Sequence, residues 1–261
     1  MGFFFKSKEL PRPASLTFAL QQAGHTYDDG HIGLAPTTLT IGEQRVAVIG
    51  LNGAGKSTLL GLLDGSLKAT TGSLSIEGGE ERLNPAVKKD LKRIDDLVGK
   101  VRREEIPNSF YRAANISEAV SEALKKHKIP ESERHARIGN LFAHFNLAQV
   151  SKAKASELDS EKRHLLAIAA ALSFEPSAIV ADEPSKGLDE IGTAHVAQAL
   201  FSYNKQVIFA THDTDMIRRS EYAIDRVLVL DEHAVVFDGA PGEAVAFYEN
   251  LIRRKYEASK R

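Results

Sequence analysis

A glycine-rich segment, GLNGAGKST at residues 50–58, matches the spacing G-x-x-x-x-G-K-[ST]. Glycines let successive backbone N–H groups curve around an anion, and the start of a following helix adds partial positive charge. In this arrangement Lys56 would reach the β- and γ-phosphates of a nucleotide, and the Ser57 hydroxyl would coordinate Mg²⁺. The apolar runs RVAVI before the segment and TLLGLL after it predict the strand and helix that the motif requires. The sequence therefore predicts a phosphate site formed by Gly50, Leu51, Asn52, Gly53, Ala54, Gly55, Lys56, Ser57 and Thr58.

Two adjacent carboxylates, Asp182 and Glu183, follow an apolar run in the segment IVADEPSKGLD at residues 179–189. Like charges repel, so such a pair at the end of a buried strand needs compensation. A metal cation and Lys56 would supply it, because an acid at the end of a strand contacts Mg²⁺ in phosphate-transferring sites, and Asp182 fits that position. Glu183 could then orient or deprotonate the water that attacks the γ-phosphate. The alternative is that both acids are solvated at a strand end before Pro184.

Composition limits the function classes. The chain has 261 residues, 43% hydrophobic content and a formal net charge of −1, which is typical of an ordinary globular protein and argues against a general nucleic-acid binder. It has no cysteine, which excludes disulfides and thiolate metal sites. No apolar run approaches the roughly 18–20 residues of a membrane span. Near the start, Phe3, Phe4 and Phe5 form a short apolar block, and a frayed end is favoured there over a membrane anchor.

Strand-like and helix-like segments alternate along most of the chain. Apolar runs bounded by glycine or polar residues predict strands at 16–20, 39–41, 45–50, 72–78, 177–182, 206–211 and 226–231. Buried or amphipathic patterns predict helices at 117–126, 133–145, 167–172 and 242–254. This alternation indicates a parallel α/β sheet, and the block 84–155, with almost no strand signal, indicates a helical insertion into it.

These motifs occur in the order found in the ATP-binding subunits of ABC transporters, and the chain resembles that family over nearly its whole length. Segment 50–58 resembles the Walker A motif, and segment 178–183 resembles the Walker B motif. The resemblance implies one ABC ATPase domain at 1–261 with the α/β P-loop NTPase fold, a parallel core sheet and an N-terminal antiparallel β subdomain. The core would comprise 1–83 and 156–261, and 84–155 would be an inserted α-helical subdomain.

The resemblance also implies roles for single residues, with ATP and Mg²⁺ as cofactors. SKGLD resembles the D-loop, which ends in Asp189, and ATHD resembles the switch region, which places His212 at the γ-phosphate. Tyr27 stands where the family stacks an aromatic ring on adenine. Isolated residues of these types more often serve packing or the surface, so the assignments depend on the order of the motifs. Glu183 and His212 would be the catalytic residues.

Within the family, the chain looks most like the energy-coupling-factor group, because RHLLAIAAALSFEPSAIVADEP is similar to the biotin-type ATPases. Such subunits work with a second ATPase, a transmembrane coupling subunit and a small membrane subunit that binds a vitamin or a metal ion. The resemblance thus implies a peripheral ATPase on the cytoplasmic face of the cell membrane that powers import. A regulatory ABC subunit that hydrolyses poorly and a soluble ABC ATPase outside transport are the alternatives.

The family signature LSGGQ is altered in this chain. Its serine precedes the Walker B aspartate by 23 residues, a spacing that leads from Asp182 back to Asp159 in the segment LDSEK. Ser160 and Glu161 replace both glycines. In an ABC dimer this segment donates N–H groups to the partner's γ-phosphate, so each carboxylate there would cost about 4 kcal/mol at about 4 Å and an effective dielectric near 20. We therefore expect an asymmetric pair with a second ABC ATPase rather than a homodimer.

The family also carries a glutamine where the core meets the insertion, and this chain has none between Gln44 and Gln149. Arg103, in VGKVRREEIP, is the nearest positional equivalent, and a guanidinium cannot accept a hydrogen bond from Mg²⁺-bound water. Two interpretations stay open for Lys100, Arg102 and Arg103. They form a solvated basic edge, or they contact phosphate or an acidic coupling helix of the membrane partner.

Overall fold

The computed structural model describes residues 14–103 and 106–260. Its strands are β1 (Thr17–Thr26), β2 (Ile32–Ile41), β3 (Arg45–Gly50), β4 (Thr71–Gly78), β5 (Glu81–Leu83), β6 (Val98–Val101), β7 (Ala178–Asp182), β8 (Gln206–Ala210), β9 (Arg226–Asp231) and β10 (Ala234–Gly239). Its α-helices are α1 (Lys56–Leu63), α2 (Lys88–Leu97), α3 (Ile116–Lys126), α4 (Glu131–His144), α5 (Ser160–Ser173), α6 (Glu190–Phe201), α7 (Thr214–Arg218) and α8 (Pro241–Ala258).

Six strands form a central sheet in the order β10-β9-β3-β8-β7-β6. The strands from β9 to β6 in this order run parallel, and β10 is antiparallel to β9. Strands β7 and β8 are buried along their whole length, because both faces of the sheet are covered. The parallel core sheet expected from the sequence is confirmed.

The two faces of this sheet belong to two hydrophobic cores. Along β3, Ala47 and Ile49 enter one core while Val46 and Val48 enter the other, because successive side chains of a strand point to opposite faces. The first core packs the sheet against α3, α4, α5, α6 and α8. The second packs it against α1 and a four-stranded sheet of order β2-β1-β4-β5, whose neighbours are antiparallel. This smaller sheet is the expected antiparallel β subdomain.

One strand lies inside the block that the sequence predicts to be helical. Strand β6 pairs in parallel with β7 and forms an edge of the central sheet, so the expectation of almost no strand within 84–155 was wrong at this point. The four residues VGKV are too short for a periodic pattern, and hydrogen bonding to β7 stabilises them as a strand. The boundary between core and insertion stays a prediction, and it must leave β6 in the core.

The apolar block at Phe3, Phe4 and Phe5 lies outside the described residues. Within 14–103 and 106–260, no helix is both long enough and apolar enough to cross a membrane.

Candidate active site

Three neighbouring strands bring the predicted site residues to one edge of the central sheet. Strand β3 ends at Gly50, β8 at Ala210 and β7 at Asp182, and the three strands lie side by side. Because parallel strands have their carboxyl ends at the same edge, the segments that follow them meet there. A cleft at this edge is lined by the glycine-rich loop, by Glu183 and by His212.

The glycine-rich loop enters α1 through a backbone conformation that favours glycine. Gly55 has a φ of +101°, and a Cβ there would lie 2.6 Å from the carbonyl oxygen of Gly33. Gly55 is also the N-cap of α1, and no side chain among the described residues caps this helix. The first N–H groups of α1 are therefore available to an anion, which is how helix N-termini bind phosphate.

Lys56 is the first residue of α1, and its side chain is buried. Its Nζ donates hydrogen bonds to the carbonyl oxygens of Gly50 at 2.8 Å and Leu51 at 3.1 Å. Burial lowers the pKa of Lys56, and the charges of Glu183 and Asp182 act in the opposite direction. The loop carbonyls thus hold the ammonium group in the cleft, close enough to both acids for their charges to stabilise it.

Glu183 follows β7 in a conformation that non-glycine residues rarely adopt. Its φ is +47°, and its N–H donates to the carbonyl oxygen of Ala210 at 3.1 Å. The buried carboxylate has its Oε1 2.9 Å from Nε2 of His212 and 3.4 Å from a guanidinium nitrogen of Arg103. The same Nε2 lies 3.3 Å from Nζ of Lys56. A continuous set of polar contacts thus joins the predicted base to the loop lysine.

Asp182 is the last residue of β7 and is buried. Its Oδ1 has no hydrogen-bond partner within the described ranges 14–103 and 106–260. A buried carboxylate oxygen without a partner costs free energy unless a ligand completes it. Ser57 is exposed beside Lys56 and offers a hydroxyl oxygen. Mg²⁺ binds through one or two carboxylates together with substrate phosphates, so these two residues fit the expected metal.

Tyr27 lines the same cleft. Its hydroxyl shares a hydrogen bond with Oγ1 of Thr58 at 3.0 Å. Gly33 makes this approach possible, because a Cβ there would lie 2.5 Å from the tyrosine ring and 2.8 Å from Thr58. His31 and His233 also line the cleft, with ring centroids 5.1 Å apart. The sequence did not indicate these two histidines, since neither belongs to a motif.

The three basic residues at the end of β6 have three different environments. Lys100 pairs with Asp95 at 2.6 Å, and Arg102 pairs with the buried Asp64 at 2.7 Å. Arg103 instead lines the cleft. The structure therefore separates residues that the sequence grouped together.

Comparison with known proteins decides the family. The sequence profile of the ABC transporter family matches residues 34–186, which is more than half of the chain. The chain belongs to the ABC transporter family. A putative ABC transporter ATP-binding protein of Deinococcus radiodurans is 32% identical to this ABC protein over 233 residues, covering 89% of this chain and 97% of that protein.

Two further relatives are similar to this ABC protein. The biotin transport ATP-binding protein BioM of Rhizobium etli is 27% identical, over 90% of this chain and 99% of that protein. The structure of cbiO1 from Clostridium perfringens, described as part of the ABC transporter complex cbiONQ, has a TM-score of 0.74 and 26% identity, with 94% of each chain covered. The chain is thus an ATP-hydrolysing ABC domain that serves as a transporter's nucleotide-binding subunit, and the predicted family is confirmed.

The ABC signature segment LDSEK has carboxylates that already have partners in this chain. Asp159 is the N-cap of α5, accepts a hydrogen bond from the N–H of Lys162 at 2.8 Å and pairs with the Lys162 ammonium. The hydrogen bond from the Lys162 side chain is the main cause that lowers the pKa of Asp159. Ser160 is the first residue of α5, and Glu161 lies 2.9 Å from Nδ1 of His195. Both carboxylates, expected to meet a partner's nucleotide unpaired, are engaged within their own chain.

The D-loop residue Asp189 also caps a helix. It is the N-cap of α6 and accepts a hydrogen bond from the N–H of Gly192 at 2.8 Å. The preceding Lys186 and Gly187 line the part of the cleft that contains His212. The Walker, D-loop and switch segments of this ABC protein therefore meet at one edge, while the signature lies at the start of α5. The catalytic and ligand roles of these residues stay predictions.

Proposed function

We propose that this chain binds and hydrolyses ATP to power an importer of the energy-coupling-factor kind, which takes up a vitamin such as biotin or a metal ion. The observation that carries the proposal is the meeting of Lys56, Asp182 and Glu183 at one edge of the sheet. The kind of transporter is supported by the relative named for biotin transport and by cbiO1. The substrate would be bound by other chains.

Lys56 and the first N–H groups of α1 bind the β- and γ-phosphates in this proposal. Glu183 orients the attacking water and accepts its proton, a role that suits a buried carboxylate fixed by neighbouring polar groups. His212, 2.9 Å from that carboxylate and 3.3 Å from Lys56, holds the base in place and contacts the γ-phosphate. The hydrolytic step thus depends on groups that the structure already holds together.

Two further ligand contacts complete the proposed site. Asp182 and Ser57 hold Mg²⁺, which when bound neutralises charge on the phosphate oxygens. Tyr27 stacks on adenine, and its hydrogen bond to Thr58 fixes the ring next to the phosphate loop. The unsatisfied Oδ1 of Asp182 supports the metal assignment, and the partly exposed ring of Tyr27 supports the base assignment.

The proposed location is peripheral, on the cytoplasmic face of the cell membrane. A transmembrane coupling subunit would hold the chain there, together with a small membrane subunit that binds the transported substrate. A second ABC ATPase would complete a heterodimer. Asp159 and Glu161 support this pairing, because they place carboxylates in the segment that would face a second ATP.

The test is to isolate the chain from membranes with its bound partners and to measure ATP hydrolysis before and after their removal. We expect a second ATPase and a multi-spanning coupling protein to copurify, and we expect hydrolysis to fall when they are removed. Recovery of the chain free of membranes, with full activity alone, would contradict the transporter assignment.

A second candidate function is a regulatory subunit that binds ATP and hydrolyses it poorly. The altered signature favours it. Asp159 accepts a hydrogen bond from the N–H group of Lys162, at the start of the helix where the family binds the γ-phosphate of the partner's nucleotide. In the assembled complex, a normal hydrolysis rate that depends on Glu183 would exclude this candidate.

A further inference from the structure

Arg103 lies two residues after the end of β6, at the position where the sequence led us to expect the glutamine of the ABC family. Strand β6 pairs with β7 through Lys100 opposite Val180, so the residues that follow the two strands come together. A guanidinium nitrogen of Arg103 lies 3.4 Å from Oε1 of Glu183. The position is therefore set by strand pairing and places a cation beside the predicted base.

The Arg103 guanidinium is incompletely satisfied. Its Nε is buried and has no hydrogen-bond partner in the described part of the chain. Its contact with Glu183 is longer than the roughly 2.7–2.9 Å of a strong charge-assisted hydrogen bond, and that carboxylate oxygen already lies 2.9 Å from His212. A guanidinium carries five N–H donors, so it can bind a further acceptor while it contacts Glu183.

The side chain also borders the cleft of the proposed phosphate site. Arg103 lines the cleft together with Asn52, Gly53 and Lys56. After burial and the two carboxylates, the positive charge of Arg103 is a further influence on the pKa of Lys56, which it lowers. Two cations in one cleft repel each other, and an anion placed between them removes that repulsion.

We propose that Arg103 binds the terminal phosphate of ATP directly and is a residue by which this protein distinguishes ATP from ADP. The inference rests on the proposed ATP site. A terminal phosphate carries more negative charge than a carboxylate and offers several acceptor oxygens, so it competes with Glu183 for the guanidinium. ATP then releases Glu183 to act on water, whereas ADP leaves the Arg103–Glu183 contact in place. Because the guanidinium donates to phosphate oxygens itself, this discrimination does not require a metal-bound water.

The experiment is calorimetric titration of the full chain with ADP and with a non-hydrolysable ATP analogue that has an imido bridge, in Mg²⁺ and in EDTA. The variants are Arg103→Ala and Arg103→Gln. Lys100→Ala is the matched control, because it removes a cation three residues before Arg103 whose partner, Asp95, is outside the cleft lining. Thermal unfolding without nucleotide checks that each variant folds, and Arg103→Lys replaces any variant that does not.

We expect Arg103→Ala to weaken binding of the ATP analogue by roughly tenfold or more, as for loss of a charge-assisted hydrogen bond, and to change ADP binding by about twofold or less. Arg103→Lys should give an intermediate loss, and Lys100→Ala no loss. The unaltered chain should prefer the analogue over ADP in EDTA as well as in Mg²⁺. Arg103→Gln should show that preference only in Mg²⁺.

Three results would overturn the inference. These are an equal loss of binding for both nucleotides in Arg103→Ala, no loss for either nucleotide in that variant, and loss of all preference by the unaltered chain in EDTA. In each of these cases the proposed function would stand. If the unaltered chain bound neither nucleotide, the proposed function would fail together with the inference.

Discussion

The Walker side of this chain, at the start of α1 and the end of β7, and its signature side, at the start of α5, differ in whether their polar groups have partners. On the Walker side, a buried oxygen of Asp182 has no partner in the described residues, and no side chain there caps α1. On the signature side, Asp159 caps α5 and pairs with Lys162, and Glu161 contacts a histidine. The first arrangement costs free energy without a ligand, whereas the second is complete within the chain.

This difference teaches how a binding site can be recognised without its ligand. A helix start that keeps its N–H groups free, beside a buried lysine, is costly and is explained by an anion. A helix start whose N–H group donates to its own N-cap aspartate is explained by the fold alone. The polar groups on the Walker side therefore fit the proposed ATP site, whereas those of the signature segment are engaged within the fold.

The largest expected effect is on hydrolysis. In the assembled complex, Glu183→Gln should keep ATP binding but slow hydrolysis roughly 10²–10⁴-fold, because the amide cannot accept the proton from water. Steady-state phosphate release and retention of labelled ATP measure the two properties. Glu221→Gln, on a surface turn, is the control. Turnover by Glu183→Gln at the rate of the unaltered chain would show that the base lies elsewhere.

The next effect is on binding. Lys56→Ala should weaken ATP binding by roughly a hundredfold or more, because a buried cation is lost from a site that acts through electrostatics. Equilibrium dialysis with labelled ATP measures it, and Lys88→Ala, an exposed change on α2, is the control. Nearly unchanged affinity would mean that the glycine-rich loop does not bind phosphate.

A third prediction attempts to restore the signature segment. The triple change Asp159→Ser, Ser160→Gly and Glu161→Gly should produce ATP-dependent homodimers in size-exclusion chromatography, because the segment loses two carboxylates that would repel a partner's γ-phosphate. Serine still caps α5, so the helix should be kept. Asp159→Asn alone is the control and should stay monomeric. Dimers of the unaltered chain, with two equivalent hydrolysing sites, would refute the asymmetry.

The smallest effect is on stability. Asp159→Ala should lower the free energy of unfolding by about 1 kcal/mol near neutral pH, since it removes the N-cap, and Asp159→Asn should lower it less because asparagine also caps helices. The pKa of Asp159 is lowered in the folded chain, so its charge stabilises the fold above the ordinary aspartate pKa of about 3.9, and this contribution is lost as the pH falls through the lowered value. Urea unfolding of the unaltered and Ala chains at about pH 7 and about pH 3 measures the gap, which should narrow in acid. A gap of equal size at both pH values would contradict the role of the charge.

Local motifs predicted much of the fold and of the candidate site. The glycine-rich loop, the acids at the end of β7 and most of the central strands were predicted correctly in kind, because each depends on residues adjacent in the chain. Strand β6 was missed, since its four residues become a strand through pairing with β7. The partners of Asp159 and Glu161 were missed for a related reason. A replaced glycine shows in the sequence, whereas a helix cap and a contact between helices do not.

The sequence by itself determined the family, the glycine-rich loop and the pair of acids, because these are properties of short segments with fixed residue types and spacing. Tertiary structure alone decided that Arg103 contacts Glu183 while Arg102 pairs with Asp64. It also brought His31 and His233 together in the cleft. The physical reason is that hydrogen bonding between strands far apart in the chain sets the distances between these side chains, and no local pattern encodes which strands will be neighbours.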